Sequence, residues 1–294
     1  MWRITMKFGV FLPSHGPAKS PQSVHQVAQS AEQSGYDSLW AADHVLVHQR
    51  FSDFCMIETF VTLGYVAAIT EKITLGTTVL VLPQRDPILA AKQAAAVDQY
   101  CNGRLILGLG VGWMDDEYRY LRTDFSKRGR MMDEWMDVMR VLWSEDEPSF
   151  QGEWINFEES AFEPKPAQEG GPPFTIGGLS DAAIRRAATK AIGWHPIQIS
   201  PEEVAGGVAK MKAWANGEPR TVVFHARAEL GDQADPEVSL IRGSMSEIND
   251  LIGRYAEAGV EHMLFDFNTT PTAGGIQDQM ERIASDVFPV HQTA

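Results

Sequence analysis

From Ile73 to Leu82 the chain runs through ten residues with no polar side chain longer than threonine. Such a run, rich in β-branched and aliphatic residues, predicts a strand buried on both faces. Pro83-Gln84-Arg85-Asp86-Pro87 breaks it, with Asp86 a helix N-cap and Pro87 at the first helical position, where no N–H is needed. The helix runs from Ile88 to Tyr100, with Leu89, Ala90, Ala94 and Val97 on its inner stripe, and Asn102-Gly103 stops it. A second apolar strand follows from Leu105 to Val111. Strand, helix and strand in this order form a βαβ unit, so the two strands are parallel with a right-handed crossover.

The same alternation extends both ways. Upstream it predicts strands at Phe8–Leu12 and Ser38–Ala42, helices at Pro21–Ser34 and Ile57–Thr70, and a loop from Val45 to Cys55. Downstream the pattern lapses: Asp115–Lys127 reads as a charged connection and Gly129–Trp143 as a helix with a Met and Trp stripe. A small hairpin at Phe150–Phe157 and a Pro/Gly-rich loop at Pro164–Pro173 complete this excursion, which reads as a lid or insertion after strand 4. The alternation then resumes with strands at Phe174–Ile176, around Trp194, at Thr221–Ala228 and at Val260–Phe267. Helices fall at Asp181–Ala191, Pro201–Asn216, Met245–Ala258 and Ile276–Phe288. About eight βα units argue for an α/β fold, a (β/α)8 TIM barrel, forming a single domain over residues 1–294.

In such a barrel the active site lies at the C-terminal ends of the strands. That rule alone nominates His15, Asp43, His44, Thr77, Thr78, Trp113, Gly177, Gly178, His195, His225, Arg227 and Asp266. His44 can exchange a proton near neutral pH, and the adjacent Asp43 can orient it. His48, four residues on, offers a metal pair with His44, but no third ligand follows at useful spacing, so no metal is expected. Gly108-Leu109-Gly110-Val111-Gly112-Trp113 lacks the GxGxxG spacing, and Asp115-Asp116-Glu117 behind it would repel a pyrophosphate. It reads instead as backbone close to a flat ligand, with the acidic triplet a solvated turn. Gly177-Gly178-Leu179-Ser180 opens a helix and offers backbone N–H groups to a phosphate, with Arg185 and Arg186 one turn inside. There is no GxSxG elbow for a serine hydrolase.

Composition narrows the partners. The formal net charge is −14, from 39 acidic and 25 basic residues, which argues against a nucleic-acid or anionic-membrane surface. The only two cysteines, Cys55 and Cys101, show no CxxC spacing, so a reduced cytoplasmic setting is expected. The short apolar run Phe8–Leu12 ends at Pro13 and does not read as a signal peptide, and no run of 18 apolar residues exists.

Taken together, several segments resemble the bacterial luciferase-like superfamily of flavin- and deazaflavin-dependent (β/α)8 oxidoreductases. They are Lys7–Pro13, Gly35–Trp40, Asp43-His44, Leu75–Val79, Gly103–Gly108, Gly110–Trp113, Arg128–Arg130 with Asp133-Glu134, Ile176–Gly178 and Gly193-Trp194. They cover the chain to about residue 200; beyond it only the βα rhythm matches. The nearest likeness is to the mycobacterial-type branch that uses coenzyme F420, an 8-hydroxy-5-deazaflavin. The resemblance implies a ring over the ends of strands two to four and His44 as the acid or base near the reactive carbon. It also implies a non-prolyl cis peptide at Thr78-Val79, and a phosphate at Gly178, Leu179 and Ser180. The catalytic candidates are therefore His44 and Asp43. The cofactor-binding candidates are His44, Thr77, Thr78, Val79, Gly112, Trp113, Gly177, Gly178, Leu179 and Ser180. Trp113 stands where the sugar-phosphate dehydrogenases of this branch carry a glutamate, which points to an apolar or aromatic substrate. The expected activity is hydride transfer between F420 and a small organic substrate. An FMN-dependent monooxygenase and a cofactor-binding barrel without turnover are the alternatives, and a homodimer is a family expectation.

Overall fold

Eight short parallel strands close into a barrel in the computed structural model, which describes residues 5–158, 160–231, 235 and 237–292. The elements in order begin with β1 (Lys7–Phe11), α1 (Pro21–Gln33), β2 (Ser38–Ala41), α2 (Thr59–Ile69), β3 (Thr74–Val81), α3 (Pro87–Tyr100) and β4 (Leu105–Gly110). An excursion follows: α4 (Asp115–Tyr120), α5 (Arg128–Ser144) and the antiparallel pair β5 (Phe150–Gln151) and β6 (Asn156–Phe157). The chain re-enters the barrel with β7 (Phe174–Gly177), α6 (Asp181–Lys190), β8 (Gly193–His195), α7 (Pro201–Trp214) and β9 (Thr221–Leu230). It ends with β10 (Ile241–Gly243), α8 (Met245–Ala258), β11 (His262–Asp266), α9 (Ala273–Asp286) and α10 (Phe288–His291). The barrel order is β1-β2-β3-β4-β7-β8-β9-β11, closed by parallel pairing of β11 with β1. The fold is thus the expected (β/α)8 barrel.

Local chemistry explains the element ends. The Asp86 carboxylate accepts from Leu89 N at 2.9 Å with Pro87 behind it, as the sequence predicts. Ser200 with Glu203 and Ser244 with Glu247 form capping boxes on α7 and α8. α3 ends where Asn102 and Gly103 take positive φ, and α8 where Gly259 does. Inside the barrel, small residues make room for large ones. A Cβ on Gly76 would lie 2.3 Å from the fully buried Trp40 ring, and one on Gly108 would lie 2.1 Å from Thr77 O. Outside, a Cβ on Gly207 would strike Trp194, whose indole N–H donates to Gly178 O at 2.8 Å and so braces the turn after β7.

Several segments depart from the sequence expectation. Residues 115–127 are not a plain charged connection but contain α4, which turns Glu117 and Tyr118 inward. The loop after β2 holds 3-10 turns at Gln49–Phe54. β9 outruns the barrel, and its last residues pair with β10, a strand the sequence pattern does not announce. The final helix starts at Ala273 and breaks at Val287, just before Pro289, so α10 is a separate turn. The 21-residue stretch Gln49–Ile69 is long and apolar enough to cross a membrane by length and composition. It is no continuous helix, because extended backbone at Cys55 interrupts it, and Phe60, Leu63, Val66 and Ala67 of α2 are buried in the core.

Candidate active site

The C-terminal ends of the strands enclose a mostly apolar cavity of about 320 Å³. One wall is glycine and valine: Val79, Val81, Gly110, Gly112, Gly177 and Gly178. A Cβ on Gly110 or Gly177 would lie within 2.4 or 2.7 Å of Val79, and one on Gly112 within 2.7 Å of Val81. The register of β3 against β4 slips between Thr77 and Leu80, and the Thr78–Val79 peptide within that irregularity is cis, as the resemblance implies. The rim is aromatic. Trp113, 55% exposed, meets the rings of Phe51, His44 and Phe54 edge-on at 5.2, 6.0 and 6.2 Å.

His44 lines this cavity, and its partner is Glu117. The Glu117 carboxylate, 1% exposed, accepts four hydrogen bonds. His44 Nδ1 donates at 3.0 Å and Gln84 Nε2 at 3.1 Å to Oε2, while Val45 N at 2.5 Å and Leu46 N at 3.1 Å donate to Oε1. Burial pushes this carboxyl up, but the His44 bond and charge, the Leu46 N–H and the Gln84 amide outweigh it and hold it below its usual value. A carboxylate surrounded by donors fixes the His44 proton on Nδ1 and leaves Nε2 as an acceptor for a ligand.

The expectation that Asp43 orients His44 is corrected by its contacts. Asp43 accepts Arg85 Nη2 at 2.6 Å, Arg85 Nε at 3.0 Å and Val81 N at 3.1 Å. It forms a buried bidentate ion pair joining the ends of β2 and β3, and Arg85 reaches on to Glu58 at 2.9 Å. The reading of Asp115-Asp116-Glu117 as a solvated turn holds for the exposed Asp115 and fails for Glu117. Met114, Glu117 and Tyr118 fall on one face of a short helix, a three-to-four spacing that was present in the sequence.

The remaining candidates divide. Asp43, His44, Thr78, Val79, Gly112, Trp113, Gly177 and Gly178 line the cavity. Thr77 does not: it is fully buried behind the wall, donating to Gly108 O at 2.7 Å. Leu179 and Ser180 lie outside it. Leu179 is 49% exposed, and the Ser180 hydroxyl caps α6 by accepting from Ala183 N at 3.2 Å. Of the basic residues on α6 and at the start of α5, Arg186 pairs with Asp133 at 2.8 and 3.0 Å, and Arg185 stacks over Trp214. Arg130 pairs with Glu153, and Lys127 sits 3.6 Å from Asp124. His48 is exposed, its Nδ1 accepting from Arg50 N. Among the described residues no group of three His, Cys, Asp or Glu side chains is placed to hold a metal. Among the described residues, none of the 114–173 segment lines the cavity; its hairpin is tied to α5 by Glu134, which accepts from the N–H groups of Glu153, Trp154 and Ile155. Phe54 and Met56, from the loop after β2, also line the cavity.

Opposite the glycine wall stand His15, His225, Arg227 and Asp266. A buried chain of contacts runs beneath them. Thr175 Oγ1 lies 3.2 Å from His195 Nδ1, His195 Nε2 3.0 Å from Thr78 Oγ1, Thr78 Oγ1 3.1 Å from His225 Nδ1, and His225 Nε2 3.4 Å from Asp266 Oδ2. One proton per ring satisfies every contact if each group donates toward Asp266. Burial pushes His195 well below its usual value, which keeps that ring neutral. Burial also pushes Asp266 up, but the His225 bond and charge, His15 and the Asn268 N–H hold it low.

The profile of the luciferase-like monooxygenases matches residues 6–262. The chain belongs to the luciferase-like monooxygenase family. Among its relatives, an uncharacterised protein of Mycobacterium tuberculosis is 29% identical over 263 residues, 84% of this chain and 86% of that one. The FMNH2-dependent dimethylsulfone monooxygenase of Pseudomonas putida is 29% identical over 245 residues, 76% of this chain and 66% of that one. A solved F420-dependent secondary alcohol dehydrogenase, complexed with an F420-acetone adduct, superposes with a TM-score of 0.83 at 18% identity, covering 98% of this chain and 100% of that one. The last likeness is one of fold. Family membership places the chain among luciferase-like oxidoreductases and monooxygenases, and the cavity described here occupies the barrel end where such folds carry their chemistry.

Proposed function

We propose that this luciferase-like enzyme is a coenzyme F420-dependent oxidoreductase that transfers hydride to or from a small organic substrate. The His44–Glu117 pair on the cavity wall carries this reading. The residues present fit a deazaflavin ring: Gly110, Gly112 and Gly177 keep one wall free of side chains, and Trp113 and Phe54 cover the opening with aromatic faces. When bound, the deazaflavin supplies a ring carbon that gives or accepts hydride. The protein supplies position, water exclusion and a proton site. His44 Nε2 takes or gives the proton, Glu117 holds the Nδ1 proton and stabilises the imidazolium formed, and the turn at Gly178 receives a phosphate. Gly178 has φ +117, which leaves its backbone open to an anion and closed to most side chains.

The test compares wild type with His44→Ala, measuring deazaflavin affinity by absorbance and oxidation of the reduced deazaflavin by a quinone acceptor. A fall in rate of ~10²–10⁴ with affinity held within a few-fold supports the acid–base role. Equal loss in both supports a binding-only barrel. A second reading, an FMN-dependent monooxygenase, is favoured by two observations: the Pseudomonas putida relative uses FMNH2, and Arg186 and Arg130 are already committed to ion pairs and so less available to a longer anionic tail.

A further inference from the structure

A second, more polar chamber of about 570 Å³ adjoins the ring cavity, and the two share His15, Phe54, Arg227 and Asp266 as a common wall. It lies over the ends of β1, β9 and β11, across the barrel from the glycine wall on β3, β4 and β7. Among the described residues its charged lining is Lys19, Asp53, Arg227 and Asp266. Three of these four are engaged or exposed. Lys19 donates to Cys55 O at 2.9 Å, Asp53 is solvent-exposed, and Asp266 accepts from His225 Nε2 and Asn268 N.

Arg227 is different. Its side chain is 35% exposed, and among the described residues its only ion-pair neighbour is Asp266, with Nε 3.9 Å away, beyond hydrogen-bond reach. The backbone is held in place, Arg227 N donating to Gln198 Oε1 at 2.7 Å, so the guanidinium is anchored at its root with its N–H groups unspent. His15 stands on the same wall. Its Nδ1 lies 3.3 Å from Asn268 Nδ2, an amide nitrogen that also donates to Leu12 O at 3.4 Å. Nδ1 is therefore the acceptor, and the ring proton is on Nε2. Phe11 and Phe54 hold the ring, at 5.1 and 6.3 Å. A guanidinium with no hydrogen bond spent among the described residues and an oriented imidazole N–H on the same wall together offer donors to a carboxylate.

We infer that this chamber is the substrate subsite and takes an organic carboxylate, its carboxylate on Arg227 and His15 and its apolar body against Phe54 toward the ring cavity. The inference deepens the proposed function, resting on the ring occupying the glycine side, and it names the substrate class as an aromatic or aliphatic acid. Asp266 subtracts from the attraction, its charge shared with Arg227 and its oxygens bonded to His225 Nε2 and Asn268 N, while Asp53 is screened by solvent.

The experiment titrates benzoate and its neutral isostere benzamide into protein loaded with whichever of F420 or FMN it binds, by calorimetry, for wild type, Arg227→Met and Arg227→Lys, with folding checked by circular dichroism. Wild type should prefer benzoate by about tenfold to a hundredfold, the span of a charge-assisted pair. Arg227→Met should abolish that preference, lowering benzoate binding far more than benzamide binding, while Arg227→Lys keeps part of it. Equal binding of the two probes, an undiminished preference in Arg227→Met, or displacement of the ring (read from its absorbance) would overturn the inference. Failure of F420 alone to bind would overturn the cofactor reading and leave the benzoate result to decide the chamber.

Discussion

Replacing Glu117 with Gln changes one atom in a carboxylate that accepts four hydrogen bonds, two from the backbone N–H groups of Val45 and Leu46 and two from His44 and Gln84. The amide cannot accept on both sides. The backbone donors are fixed, so the new NH2 faces His44 and Gln84. Gln84 can turn its amide, since its Oε1 is buried with no partner and can accept instead. His44 can do so only by moving its proton from Nδ1 to Nε2. The stability cost is then the exchange of charge-assisted bonds for neutral ones, ~1–3 kcal/mol in total. The functional cost is larger, because Nε2 changes from acceptor to donor, and a misplaced general base forfeits ~10²–10⁴ in rate. Two assays separate these effects. Long-range ¹⁵N–¹H spectra report the tautomer, and urea unfolding reports stability. Because Glu117 is held below its ordinary value of 4.5 in the folded state, its contribution is present above that pH and is lost as pH falls through the folded value. The stability gap between wild type and Glu117→Gln should therefore narrow below about pH 4.5. A wild-type His44 protonated on Nε2 alone at neutral pH, or a Glu117→Gln protein with unchanged tautomer, would refute the reasoning.

Other variants probe the remaining parts. Asp43→Asn should destabilise by ~2–3 kcal/mol by urea unfolding, because it leaves the partly buried Arg85 with only the more exposed Glu58 as a carboxylate partner, while turnover per folded molecule stays within about tenfold. Gly178→Val should weaken cofactor binding strongly, since φ is +117 and the new Cβ would sit 3.1 Å from Ala183 Cβ; unchanged affinity by absorbance titration would move the phosphate elsewhere on the rim. His44→Ala should separate rate from affinity as described above.

The barrel was legible because its strands are written as short apolar runs and its helices as capped stripes. Asp86-Pro87 and Asn102-Gly103 mark α3 in the sequence and bound it in the structure. His44, Thr78, Trp113 and Gly178 are found because strand ends in a barrel share one rim. The errors have a common physical source. A run of charges reads as solvated, yet a single helical turn places Glu117 inside and Asp115 outside. Adjacency in sequence suggests Asp43 for His44, but the Asp43 carboxylate is taken by Arg85 and Val81 N, and the partner of His44 comes from 73 residues away. Leu179 and Ser180 are not among these errors: the Ser180 hydroxyl caps α6, and the phosphate expected there rests on backbone N–H groups that this cap does not use. β10 escaped notice because three residues carry too little pattern to distinguish a strand from a turn.

The account stands or falls on which cofactor the cavity holds. The purified protein should be titrated with F420 and with FMN at moderate salt, each followed by its ring absorbance. The account predicts saturable F420 binding in the micromolar range or tighter, with FMN weaker. Micromolar or tighter FMN binding without measurable F420 binding would contradict it and make the protein an FMN-dependent member of the luciferase-like family.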